Sequence, residues 1–255
     1  MRSSLPRDGR RGTRTTRRGP DADRRCADRA AGPWRNAAGR CLAALGRFDE
    51  AERAFEDARA ADPSNPVAAS QLTALRRRMR FRERAERLLA DDPDALFAAV
   101  EDARRKEADT GFQVEGRRLL ARREPDNVAA VCALGAAQRR AGDLEGALNT
   151  YDHAWTLERS ARDTAMTRVG RAAVLRELDR PDDARALYDA VLATRPDDAY
   201  ALTGRAALYL DDVAKRGAGE RALERAKALI DAIKGEWTSE VHAVHGRWRS
   251  LSGKA

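Results

Sequence analysis

The stretch LGRFDEAERAFEDARAADPSNP, residues 45–66, decides the fold. Gly46 supplies a tight turn between two helical runs, one predicted over Asn36 to Ala44 and the next over Asp49 to Ala61. Phe48, Ala51, Phe55 and Ala58 fall at steps of three and four, which places them on one face of a helix. Pro63-Ser64-Asn65-Pro66 ends the unit, because proline cannot continue a helix interior. The same phrase returns as AGDLEGALNTYDHAWTLERS at 141–160 and as LDRPDDARALYDAVLATRPDDA at 178–199. One helical hairpin has been written at least three times, so the chain reads as a repeat protein.

The residues that carry the repetition are specific. Ala38-Gly39-x2-Leu42 precedes Ala51-x3-Phe55 and Pro63 in the first unit. Val131-x2-Leu134-Gly135-x2-Gln138 precedes Gly142 and Ala147-x3-Tyr151 in a later one, and a third has Ala184-x3-Tyr188 and Pro196. This pattern resembles the tetratricopeptide repeat (TPR) family, a 34-residue helix pair with small residues at the helix contact and an aromatic in the second helix. Gly46 to Pro63, Pro125 to Gly142 and Asp179 to Pro196 each span 17 residues, half of that period. The resemblance implies an all-α fold: a right-handed superhelical solenoid of about five to six helix-turn-helix hairpins. Small residues let the paired helices approach closely, and the aromatic fills the gap to the neighbouring hairpin.

The expected organisation is a tail over 1–31, an array over 32–234 and a C-terminal capping helix over 235–252. The array divides into units at 32–65, 66–93, 94–127, 128–161, 162–198 and 199–234. The second unit diverges. Residues 66–90 lack a turn glycine, and read either as one long helix or as a hairpin with an unusual turn. Pro63 to Pro125 is 62 residues and Pro125 to Pro196 is 71, so the register slips between Leu72 and Asp109 and gains near Ser160–Thr164. In the cap, Trp237, Val241, Val244, Trp248 and Leu251 form one apolar stripe that would cover the exposed end of the array.

The charge is placed unevenly. The net charge of the whole chain is +8. Residues 1–31 hold 10 Arg and 4 Asp, while the remainder is nearly neutral. Gly, Pro and Thr accompany those arginines without a helical period, so the tail is expected to be disordered. It reads either as a basic arm for nucleic acid or acidic lipid, or as a solvated extension. The 44 Arg against 5 Lys point to codon usage in a GC-rich bacterial genome. No apolar run approaches membrane-spanning length, and Cys26, Cys41 and Cys132 are unpatterned, which fits a reduced cytoplasm.

Few residues suggest chemistry. Arg76, Arg77, Arg78, Arg80, Arg82, Arg84 and Arg87 form a basic run, of which Arg76, Arg77, Arg80 and Arg84 are candidate phosphate contacts. On a helix these side chains point in several directions, with Phe81 the one aromatic among them, so a salt-bridged helix face competes with that reading. His242 and His245 sit three apart without a Cys or a third His, and no metal site is assigned. No phosphate loop, nucleophile elbow or zinc-protease motif occurs, and no acid/base couple stands out. The chain is expected not to be an enzyme and to use no cofactor.

The resemblance further implies a concave wall made by the first helix of each pair. Register places Asn36, Arg40, Arg139, Arg140, Arg176, Tyr200 and Thr203 there, with Cys132 and Val169 between them. Ala136, Ala173 and Ala207 occupy positions where TPR clamps for chaperone tails carry polar groups, which argues against such a clamp. The expected function is a scaffold or adaptor that binds a peptide or helix of a protein partner in the groove. Two alternatives stand beside it: a nucleic-acid-associated adaptor using the tail and the Arg76–Arg87 run, and an accessory subunit of a larger enzyme complex. The sequence does not fix the oligomeric state. Replacing Gly142 by Pro should break one hairpin turn. Repeat stability is close to a nearest-neighbour sum, so thermal melting followed by circular dichroism should become broader or two-step, and an unchanged sharp transition would contradict stacked repeats.

Overall fold

A computed structural model describes residues 34–64, 66–217, 219–235 and 237–253. The Arg-rich segment 1–31, with the basic arm read from it, lies outside the described residues. Twelve helices and no strand occur among them. The chain divides into two compact units, residues 1–79 and 80–255.

The first unit holds α1 (34–44), α2 (Phe48–Ala61) and the beginning of α3 (Pro66–Asp91). Gly46 turns the chain at φ +77°, and the amide of Arg47 donates to the carbonyl of Leu42 at 2.9 Å to close α1. Phe48, Ala51, Phe55 and Ala58 are all buried, as their spacing demands. Phe48, Ala51 and Phe55 form a core with Leu72 and Leu75 of α3.

α3 is a single helix of 26 residues, which resolves the two readings of 66–90 in favour of the long helix. In the second unit four hairpins follow: α4 (Pro93–Arg105) with α5 (Thr110–Arg123), α6 (Val128–Arg140) with α7 (Leu144–Thr156), α8 (Ala161–Glu177) with α9 (Pro181–Thr194), and α10 (Ala199–Arg216) with α11 (Glu220–Asp231). Each packs on the next through α5–α6, α7–α8 and α9–α10, and α12 (Ser239–Leu251) lies on α10 and α11. The fold is all-α, a stacked helical repeat.

Local chemistry explains the starts of these helices. Asp92, Asn127, Asp143, Ser160, Asp198 and Thr238 each accept a hydrogen bond from an early backbone amide of the helix they precede. The α6–α7 turn uses Gly142 at φ +81°, and the α8–α9 turn puts Asp179 in the same role at φ +56°. The α4–α5 turn has no glycine. Glu107 and Asp109 take positive φ there, and the buried Gln113 side chain donates to the carbonyls of Ala103 (3.2 Å) and Ala108 (2.8 Å). An aspartate or glutamate accepts this backbone at some cost, which the glutamine bonds help to offset.

In the α6–α7 and α8–α9 hairpins stacking is set by one aromatic each. Tyr151 of α7 lies against Gly135 of its own partner helix α6 and against Gly170 of α8 in the following hairpin. A Cβ at Gly135 would sit 2.9 Å from the ring, and one at Gly170 would penetrate it. Tyr188 of α9 repeats the arrangement against Gly204 of α10. These positions contrast with Gly246 on α12, where a Cβ would meet nothing within 4 Å. Alanine is a better helix former than glycine by up to about 1 kcal/mol. Gly246→Ala should therefore stabilise the protein by about 0.5–1 kcal/mol, whereas Gly170→Ala should destabilise it by about 1–2 kcal/mol through overpacking, as read from urea unfolding midpoints.

Candidate partner-binding wall

α6, α8 and α10 are the first helices of three successive hairpins and pack side by side. Their C-terminal halves carry a connected set of charges. Arg139 of α6 reaches Glu177 of α8 at 2.5 Å and Glu240 of α12 at 3.3 Å. Arg176 of α8 lies 3.6 Å from Asp211 of α10, and Asp211 is met at 2.7 Å by Arg247 of α12. Arg247 also donates to the carbonyl of Leu210 at 3.2 Å. Four helices are thus joined by alternating guanidinium and carboxylate groups.

The electrostatics of the wall follow from this pairing. Burial disfavours the charge on Arg139, but Glu177 and Glu240 outweigh it, and the guanidinium titrates above its ordinary range. Arg140, next along α6, titrates below it, through burial and through repulsion from Arg139 and Arg104. Arg117 of α5 is lowered by burial and by Arg140. The α6 end of the wall is therefore crowded with positive charge, and an added carboxylate would relieve it.

The residues assigned by register divide into two groups. Arg139 and Arg140 end α6, and Arg176 lies in the last turn of the neighbouring α8. Tyr200, at the start of α10, is exposed. Arg40 is exposed in the first unit, but Asn36 on the same helix is buried. The Asn36 side-chain oxygen has no hydrogen-bond partner among the described residues. Thr203 is buried, and its hydroxyl donates to the carbonyl of Ala199 at 2.6 Å within α10. Cys132 is buried against Thr167, and burial pushes its thiol up to about 11, so it is no thiolate at neutral pH. Asn36, Thr203 and Cys132 therefore belong to the packing and present no open surface. The partners Glu177, Asp211, Glu240 and Arg247 escaped the sequence reading. Each lies on a helix far away in the chain, and no spacing signals such a contact.

The basic run on α3 is largely occupied within the chain. Arg76 holds Glu52 at 2.6 Å and Glu56 at 2.8 Å. Arg82 holds Glu86 at 2.7 Å. Arg84 lies 3.6 Å from Asp109 and over the ring of Phe112. Arg78 donates to the carbonyl of Ala43 and covers the ring of Phe48. Arg77 and Arg80 are exposed and also make contacts within the chain. His242 and His245 pack edge-on against Trp237, and His245 stacks on Trp248. Among the described residues, no group of three His, Cys, Asp or Glu is placed to hold a metal ion, and no helix is long and apolar enough to cross a membrane.

Comparison with known proteins agrees with a fold of stacked helical repeats. Residues 32–75 match the sequence model of the tetratricopeptide repeat. No curated protein matches the chain. Among solved structures, the chain is similar to a tetratricopeptide repeat protein from Parabacteroides merdae, with 17% identity, 88% of each chain covered and a TM-score of 0.53. It also aligns with a thermophilic TPR protein of Thermus thermophilus at 23% identity, covering 87% of this chain and 99% of that one, with a TM-score of 0.42.

The tyrosines beneath the wall provide a check on its burial. Desolvation pushes the Tyr188 hydroxyl up to about 12, and Arg176 and Arg139 offset only part of the effect. Tyr151 is raised in the same way. An unfolded tyrosine titrates near 10, so the folded state holds its proton more tightly. The associated stability is complete below pH ~10 and is lost as pH rises towards ~12. Urea midpoints should fall over that interval by roughly 1–3 kcal/mol in stability, and Tyr188→Phe should flatten the fall.

Proposed function

We propose that this protein, built of tetratricopeptide-type repeats, is a non-enzymatic scaffold. It holds a peptide or helix of a partner protein against the wall of α6, α8 and α10. The observation that carries this reading is the row of arginines on successive hairpins: the exposed Arg140 on α6, beside Arg139 and Arg176, which are partly buried and paired with Glu177, Glu240 and Asp211. Planar guanidiniums fixed in this way suit carboxylates, which they meet with paired hydrogen bonds. A surface built on stacked helices is formed before the partner arrives, so the ordering cost falls on the partner.

The nucleic-acid reading rests on arginines paired within the chain, as Arg139 and Arg176 also are, and on a tail outside the described residues. A phosphate surface needs cations that can exchange counterions for phosphates. Arg76, Arg82 and Arg84 on α3 already hold carboxylates of this chain.

Affinity capture with the full chain, followed by chemical cross-linking and nuclease treatment, tests the proposal. A stoichiometric protein should be recovered, should cross-link to α6 and α8, and should survive nuclease. Arg140→Glu with Arg176→Glu should reduce its recovery tenfold or more, equivalent to about 1.4 kcal/mol of binding free energy. Recovery that is indifferent to both reversals, or that vanishes with nuclease, would overturn the scaffold reading.

A further inference from the structure

α12 does more than cover an apolar end. Its stripe does pack there: Trp248 joins Ala206, Leu210, Ala226 and Ile230, and Val241 joins Leu202 and Ile233. The Trp248 indole N–H also donates to the carbonyl of Leu223 at 3.1 Å. Among the described helices α12 packs on α10 and α11. Glu240, however, reaches Arg139 on α6, two hairpins back and 101 residues away in the chain. The same carboxylate lies close enough to Arg140, Tyr151 and Tyr188 to influence their titration. Arg247, seven residues further along α12, holds Asp211 on α10. One edge of α12 thus presents a carboxylate and a guanidinium to complementary charges on the wall.

We propose that α12 is a built-in occupant of the wall, and that the natural partner is an amphipathic helix with the same order of charges, a carboxylate followed about two turns later by a cation, which displaces it. The inference rests on the scaffold reading and adds the partner's chemistry. α12 supplies the pattern: a carboxylate for Arg139, a cation for Asp211 about two helical turns later, and an apolar residue between them on the adjoining stripe. The hold is made of separable parts. The apolar stripe seats the helix on α10 and α11, and the two ion pairs fix it across the wall. Partly exposed ion pairs of this kind are individually weak, so a partner with the same order of charges competes for Arg139 and Asp211 without disturbing the tyrosine packing beneath.

A fluorescent peptide of residues 237–253 serves as the probe, with full-length wild type and full-length Glu240→Arg/Arg247→Asp as receptors. The double reversal sets like charges against Arg139 and Asp211 and loosens α12 in its own chain. The peptide, which keeps the native charges, should bind the double variant at least tenfold more tightly than wild type by fluorescence anisotropy. A tethered helix competes with any added one, so weak binding to wild type is part of the expectation. In the same variant, backbone amides of α12 should exchange with deuterium at least tenfold faster, while those of α6 to α9 keep their wild-type rates. Equal peptide affinity for both receptors would overturn the proposal. So would exchange that rises in α6 to α9 together with α12, which would make α12 an integral cap. Peptide binding to the variant, with no effect of wall reversals on partner recovery, would leave α12 as an occupant and remove the scaffold reading alone.

Discussion

The close approach of a ring to a bare backbone governs this molecule. Tyr151 reaches from α7 into the seam between α6 and α8, and the seam admits it because Gly135 and Gly170 carry no side chain there. The ring therefore belongs to two hairpins at once. Burying a side chain of this size contributes about 1.5–3 kcal/mol, and part of that is realised only when the next hairpin is present. Hairpins in such a stack do not stand alone, which is why their order and spacing follow from where the rings and small residues fall. Tyr188 and Phe55 occupy equivalent places, and both are almost fully buried.

A second repeating device follows the aromatic in the sequence. The residue after Phe55 is Glu56, after Tyr151 it is Asp152, and after Tyr188 it is Asp189. Each acid meets an arginine on the first turns or middle of the next helix: Arg76 at 2.8 Å, Arg171 at 2.7 Å and Arg205 at 2.7 Å. The Arg171 pair is an ion pair without an aligned hydrogen bond at Nε. Arg171 also lies over the ring of Trp155, and Arg205 over that of Tyr209, so each guanidinium stacks as well as pairs. Individual pairs at such half-exposed sites contribute about 0.2–1 kcal/mol. Their repetition at the same place in three hairpins matters more than any single value, because it rewards one register of stacking over its neighbours. The abundance of arginine, read from the sequence as codon usage, thus has a structural use, and Arg76 belongs to the stitching between helices.

Legibility varied with the kind of constraint. The turns at Gly46 and Gly142 were readable because left-handed backbone favours glycine so strongly. The turn after α4 was not, since Glu107 and Asp109 take the same backbone and Gln113 secures it from the following helix. The apolar stripe of the last helix was readable down to its residues, although Trp237 precedes the helix and Thr238 caps it. The wall was readable only in part. Register put Arg139, Arg140 and Arg176 on the first helices of their hairpins, where the structure has them, because that helix repeats. It misplaced Thr203, whose hydroxyl turns back to its own helix, and Asn36, which is buried in the first unit. Position along a helix indicates which way a side chain leaves the axis. It says nothing about what has packed over it.

That distinction bears on α12. A repeat array ends where no further hairpin covers the last one, and the exposed apolar surface must be closed by something polar on its outer side. α12 meets this need with Val241 and Trp248 inward and with His242, Ser250 and Arg249 outward. Closure requires only the apolar stripe. The charges of Glu240 and Arg247 are additional to it, and they are spent on Arg139 and Asp211. Those are groups of the wall, and solvent would otherwise hydrate them at little cost. A helix that carries both patterns closes the array and neutralises its charged wall in one step.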